Sequence, residues 1–181
     1  SVCVSINDEV VHGIPGARVV RDGDVVSIDL GVYHKGFHTD AAFTVGVGAI
    51  DRRSASLIEV TRGALAEGVK CACAGNHVGD ISRAVQGYVE AAGFGVIREY
   101  TGHGVGRELH EEPQIPNFEG DGSGPVLRPG MTLAIEPMVS AGHWRTRVAS
   151  NGWTVLTADG SLSAHFEHSI AVTDGEPVVF A

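Results

Sequence analysis

Four carboxylates interrupt apolar, strand-like runs in this chain, and any fold it adopts must find them partners. Asp29 lies in Val25-Val26-Ser27-Ile28-Asp29-Leu30, and Asp40 in the next strand-like segment, Phe37–Val45. Glu136 interrupts the run Thr132–Met138, and Glu167 the run Ala164–Val172. Burying an unpaired carboxylate is costly. Basic side chains are poor candidates for the partners, because 13 Lys and Arg stand scattered against 22 Asp and Glu, for a net charge of −9. The same acidic balance leaves no electrostatic footprint for nucleic acid or for an anionic membrane.

The 181 residues suffice for one domain. No apolar run approaches the roughly 20 residues of a membrane helix. Residues 1–11 lack the basic start of a secretory signal, and the first residue is Ser, as expected of a processed chain or a fragment. Three cysteines, an odd and low number, suit a reducing cytosol. The lone Cys71-x-Cys73 has no second Cys/His pair at zinc-site spacing, so it reads as small loop or core residues.

The patterning predicts strands at Val2–Ile6, Val25–Tyr33 and Phe37–Val45, with His34-Lys35-Gly36 as a hairpin turn. Two amphipathic helices follow, one over Asp51–Glu67 and one running from Val78 to a cap at Gly93. Gly95–Tyr100, Met131–Val139, Trp153–Thr157 and Ala164–Val172 read as further strands, and Gly120–Pro125 as an exposed loop. Strands, two helices, then strands predict an α+β domain, an antiparallel sheet backed by helices.

A hairpin turning about His34–Lys35 sets Asp29 directly opposite Asp40, about 5 Å apart at Cβ. Such a pair calls for a cation between the two; in another register one Asp becomes a turn or edge residue. Glu136 and Glu167 strengthen the cation reading. Carboxylates joined by one imidazole suit Mn, Fe, Co or Zn. His103, flanked by glycines in Gly102-His103-Gly104, is the imidazole candidate. Gly102, Gly104 and Gly106 open no helix, so this is not a phosphate loop. In a strand His165 shares the face of Glu167, while His168 faces the other way in a structural or supporting role. His34, His38, His77 and His143 read as solvated.

Nine segments together resemble the type I methionine aminopeptidases of the creatinase or pita-bread metallopeptidase family. They are Ser5-Ile6-Asn7, Val11–Pro15, Asp22–Asp29, Gly36–Asp40, Gly102–Gly106, His110–Pro113, Ile135–Met138, Gly152–Val155 and Phe166–His168. The resemblance implies that Asp29, Asp40, His103, Glu136 and Glu167 hold two divalent ions (Co, Mn, Fe or Zn). It implies that Glu136 accepts the proton of the attacking water, that His110 stabilises the oxyanion, and that His12 contacts the amide nitrogen. Cys3, Tyr100 and Trp153 match positions around the methionine pocket, and Asn7 and Ser163 positions near a monovalent cation. The implied activity is removal of the initiator methionine from nascent polypeptides by a cytoplasmic monomer, with ribosome association and no direct contact to nucleic acid or membrane.

The sequence departs from the family pattern at Leu109, where an aromatic residue is frequent, and at His165, where Gln is frequent. Thr39 and Thr101 are smaller differences. Family members also carry an N-terminal segment with two helices that packs on the first half of the sheet. Residues 1–181 are therefore expected to form a single catalytic domain lacking that segment, with Val26, Ile28 and Leu30 uncovered. Rival readings are an X-Pro aminopeptidase or prolidase, an inactive fragment, and a non-catalytic binding protein of the same fold.

Overall fold

The computed structural model describes residues 1–181. It begins with β1 (Val2–Ile6) and β2 (Glu9–Val11), then a hairpin of β3 (Val25–His34) and β4 (Phe37–Gly46). Helices α1 (Arg52–Cys71) and α2 (Val78–Ala91) follow. Ten short strands complete the chain: β5 (Gly95–Val96), β6 (Thr101–Gly104), β7 (Glu111–Pro116), β8 (Thr132–Ile135), β9 (Met138–Ser140), β10 (Thr146–Val148), β11 (Val155–Thr157), β12 (Ser163–His165), β13 (His168–Ala171) and β14 (Val178–Val179). The sheet orders are β1-β3-β4, β10-β11-β2, β12-β9-β5 and β14-β13-β8-β6-β7, with antiparallel pairing throughout. No helix is long and apolar enough to cross a membrane.

The helices form for the reasons the spacing suggests. Asp51 caps α1 by accepting the Ser54 N–H at 2.8 Å. Leu57, Ile58 and Leu65 of α1, with Val78, Ile81, Val85 and Val89 of α2, bury one face of each helix against Leu133, Ile135, Val139 and Ile170 of the sheets. The first helix runs one turn beyond the predicted Glu67. A β-carbon on Gly68 there would lie 2.9 Å from the Val85 side chain, so the glycine serves close packing rather than helix termination. Gly93, at φ +79°, follows the end of α2 as expected. Gly120–Pro125 is exposed, but its backbone accepts the N–H groups of Val78 and Gly79 at the start of α2.

The first hairpin differs from the expected register. His34 pairs with Phe37, so the turn is the two residues Lys35 (φ 49°) and Gly36 (φ 90°). Two consecutive positive φ values match the twist of a tight hairpin. Asp29 therefore pairs with Ala42 and Asp40 with Gly31. The two aspartates are diagonal neighbours on one face, not directly opposed.

Two predicted strands are also broken. Met131–Val139 splits at Glu136-Pro137, where the chain passes from the five-stranded sheet (β8) to the β12-β9-β5 sheet (β9). Ala164–Val172 splits at Phe166-Glu167, passing between the same two sheets in return. His165 pairs with Met138 and His168 with Ile135, so the two breaks lie side by side. Proline has no N–H for a ladder, which opens the first break. Gly95–Tyr100 keeps only Gly95–Val96 as strand, and Trp153 lies before β11 rather than in it.

The outer face of the β1-β3-β4 sheet carries exposed apolar side chains: Val2, Leu30, Val32, Phe43 and Val45. Val26, expected among them, is buried, and Ile28 is half-buried. A contiguous apolar face of this kind binds hydrophobic dyes. Replacing Leu30 and Phe43 together by Thr, a good strand former, is expected to remove most of that dye fluorescence. Each substitution should move stability by no more than about 0.5 kcal/mol, as read by thermal melting.

Candidate metal centre

The inner face of the first sheet supplies two carboxylates. Asp29 and Asp40 lie within side-chain hydrogen-bonding reach of each other, and burial raises both pKa values above the usual aspartate value. Cys3 stands directly opposite Asp29 on β1. Burial, then the charges of Asp29 and Asp40, raises its thiol pKa.

Strand β4 is fastened to the second half of the chain at the two residues that matter. The Asp40 N–H donates to Ser169 Oγ at 2.9 Å, and the Ser169 hydroxyl donates to the Asp40 carbonyl at 2.7 Å. Glu167 N–H donates to the Ala42 carbonyl at 2.9 Å, and Ala42 N–H donates back at 3.3 Å. These bonds bring Glu167, in its strand break, beside Asp40.

His103 enters from β6, between β7 and β8. Its flanking glycines are required by close approach rather than by unusual φ. A β-carbon on Gly102 would lie 2.4 Å from the Ala134 carbonyl oxygen, and one on Gly104 2.3 Å from that of Glu112. The His103 Nδ1–H donates to the Gly104 carbonyl at 2.8 Å, which leaves Nε2 facing the site. Gly102→Ala is expected to push β6 from β8 and destabilise the protein by about 1–3 kcal/mol, with weakened metal binding. Calorimetric melting and metal titration check both effects.

Asp40, His103 and Glu167 are all buried, and each offers a ligand atom within 4.8 Å of the others. Glu136 Oε1 lies 3.3 Å from His103 Nε2. The Asn117 side-chain amide donates to the Glu136 carbonyl at 2.9 Å, holding the backbone at the break. Burial, reinforced by the charges of Asp29 and Asp40 and opposed by His103, lifts Glu136 to about 8. Burial, then Glu136, Asp40 and Asp29, lifts Glu167 well above the carboxylate range. Asp40 Oδ1 and Glu167 Oε1 are buried without any hydrogen-bond partner. Crowded carboxylates with bare inward oxygens, beside an imidazole with its free nitrogen turned to them, fit divalent ions of intermediate hardness.

His110 is exposed, its ring 4.3 Å from that of His103 at 68°. His12 has φ 61° and packs between the rings of Tyr100, edge-on at 6.0 Å, and Trp153 at 5.5 Å. Burial lowers the His12 pKa against the opposing charge of Asp29, which favours the neutral ring. Trp153 is largely exposed. Asn7 and Ser163 meet through the Ser163 N–H, which donates to the Asn7 carbonyl at 2.8 Å. The Asn7 side chain bonds Asp24 at 2.8 Å and Val25 N–H at 2.9 Å.

One residue was not expected at the centre. His165 is 2% exposed, and its Nε2 lies 3.6 Å from Glu136 Oε2. Its shared parity with Glu167 was the available signal. His168 is exposed, with Nδ1 3.1 Å from the Ala181 carbonyl oxygen, away from the cluster.

Residues 1–174 match metallopeptidase family M24. Methionine aminopeptidase 1 of Bacillus subtilis is 52% identical over 174 residues, covering 96% of this chain and 70% of that protein. The crystal structure of the Thermotoga maritima methionine aminopeptidase superposes with a TM-score of 0.96 at 52% identity, covering 98% of this chain and 72% of that one. A prolidase from Pyrococcus furiosus reaches a TM-score of 0.79 at 22% identity, covering 98% of this chain and 48% of that one, a likeness of fold alone. The chain belongs to metallopeptidase family M24, and within it to the methionine aminopeptidase group.

Proposed function

We propose that this chain removes the N-terminal methionine from nascent polypeptides, with Asp29, Asp40, His103, Glu136 and Glu167 holding two divalent ions. The supporting observation is the buried carboxylate cluster, with bare oxygens on Asp40 and Glu167 and no Lys or Arg paired to it. Bound there, the ions supply Lewis acidity and activate water near neutral pH. Co, Mn, Fe and Zn all suit the donor set.

The substrate's free α-amine is drawn to the acidic end at Asp29, which fixes the cut at the first residue. Glu136 accepts the proton of the attacking water and passes it to the departing amine. His110 donates a hydrogen bond to the oxygen that becomes the oxyanion. His12, held between Tyr100 and Trp153, orients the amide nitrogen. Cys3, Tyr100 and Trp153 line the methionine side-chain pocket. Asn7 and the neighbouring Ser163 would hold a monovalent cation. Residues 1–181 act as one catalytic unit on chains emerging from the ribosome, in the cytoplasm and as a monomer.

Metal analysis combined with hydrolysis of Met-Gly-Met-Met, Met-Ala-Ser and an Ala-Pro peptide tests this reading. The expected result is methionine release from the first two and none from Ala-Pro. Preferential cleavage of Ala-Pro, or metal binding without hydrolysis of any peptide, would overturn it.

A further inference from the structure

His165 is the buried polar side chain that the proposed chemistry leaves without a task. Both of its ring nitrogens lack a hydrogen-bond partner, although the residue is 2% exposed. An unpaired buried imidazole is costly unless something in the working site engages it. The backbone around it is pinned. His165 N–H donates to Thr44 Oγ1 at 2.9 Å, and the Thr44 hydroxyl donates to the His165 carbonyl at 2.7 Å. That leaves the Ser27 hydroxyl, 2.8 Å away, as donor to Thr44. Strands β3, β4 and β12 thus lock the residue's main chain, so its ring is presented rather than free to wander.

The ring is presented to Glu136. That carboxylate stands between two imidazoles, with Oε1 3.3 Å from His103 Nε2 and Oε2 3.6 Å from His165 Nε2. The second distance is just outside hydrogen-bond length, and a small side-chain rotation closes it. Glu136 lies at the open break between β8 and β9, so it has no regular strand neighbours to fix its carboxylate plane. We propose that His165 is a positioning residue for Glu136: its Nε2–H holds Oε2, and this determines which oxygen is turned toward the ion-binding cluster. The inference rests on the two-ion reading above and extends it to a residue that the five ligands do not include.

The test compares the wild-type chain with His165→Gln, which keeps an N–H donor, and His165→Leu, which has none. Each chain is stripped by chelation and titrated with Co(II), followed by calorimetry and by visible ligand-field absorption. With His165→Leu, one equivalent of Co(II) should bind about 10- to 100-fold more weakly, with a shifted absorption band. His165→Gln should stay within about threefold of wild type. On a Glu136→Gln background, His165→Leu should cause little further loss, because its partner is already altered.

Circular dichroism melting of the stripped chains establishes that each variant folds. If His165→Leu does not fold, His165→Asn, whose amide is too short to reach, takes its place with the same expected loss. A Leu variant that titrates like wild type would overturn the inference. So would a Gln variant as weak as Leu, or fully additive losses with Glu136→Gln. If the wild-type chain itself takes up no Co(II), the two-ion reading fails as well, which separates the two failures.

Discussion

Stripped of divalent ions, the chain is expected to lose essentially all peptide hydrolysis and to melt at a lower temperature at pH 8 than at about pH 5.5. The second effect follows from the carboxylate cluster. Burial raises Asp29, Asp40 and Glu167 above their ordinary values, with neighbouring carboxylate charges adding to it at Asp29 and Glu167, and burial with the same charges lifts Glu136 to about 8 from 4.5. A carboxyl group with a raised folded-state pKa holds a proton that the unfolded chain releases. Its stabilising contribution is complete below the unfolded value and is lost as pH rises through the folded one. For Glu136 that window runs from 4.5 to about 8. The loss amounts to several kcal/mol, or roughly 10 °C in melting temperature for a protein of this size.

Divalent ions replace those protons. Mn or Co should restore activity and raise the melting temperature, more at pH 8 than at pH 5.5, because protons compete for the same oxygens. Saturation at about 100 times the dissociation constant contributes about 2.7 kcal/mol. Full activity in a chain that metal analysis shows to be ion-free would refute the two-ion reading. An apo melting temperature that rises between pH 5.5 and 8 would show that the cluster is not repulsive.

Replacing His110 by Ala is expected to lower kcat by about 10²–10³-fold, as for loss of an oxyanion donor, while leaving both metal equivalents bound. The ring is exposed beside His103 and bonds no protein group, so its removal leaves no buried polar atom unpaired and the fold should hold. Both kcat and kcat/KM should fall together, the pattern of a contact made only in the transition state. Loss of one metal equivalent instead would mean that His110 is a ligand and that His103 and His110 exchange roles. Stopped assays on Met-Gly-Met-Met, with metal analysis of the same sample, separate the two outcomes.

Much of this site is legible in the linear chain because buried charge is rare. A carboxylate inside Val25–Leu30 or Thr132–Met138 signals a compensated environment wherever the strand lies, since the cost of burying it does not depend on topology. The 3.6-residue spacing of Leu57, Ile58, Leu65, Ile81, Val85 and Val89 likewise marks two helices with one apolar face each. Local patterning could not supply distances between segments. The register of β3 against β4 turned on whether Lys35 and Gly36 both adopt positive φ, and a shift of the turn by one residue moved Asp29 from opposite Asp40 to diagonal with it. The breaks at Glu136-Pro137 and Phe166-Glu167 exist because β8 and β13 pair in one sheet while β9 and β12 pair in another. Two adjacent crossings between sheets turn both carboxylates inward, and they bring His165 against Glu136 from 29 residues away. Alternation along a strand says which side a residue takes. Which partner it meets there is set by pairing between distant strands, where the energy lies in contacts that no single segment contains.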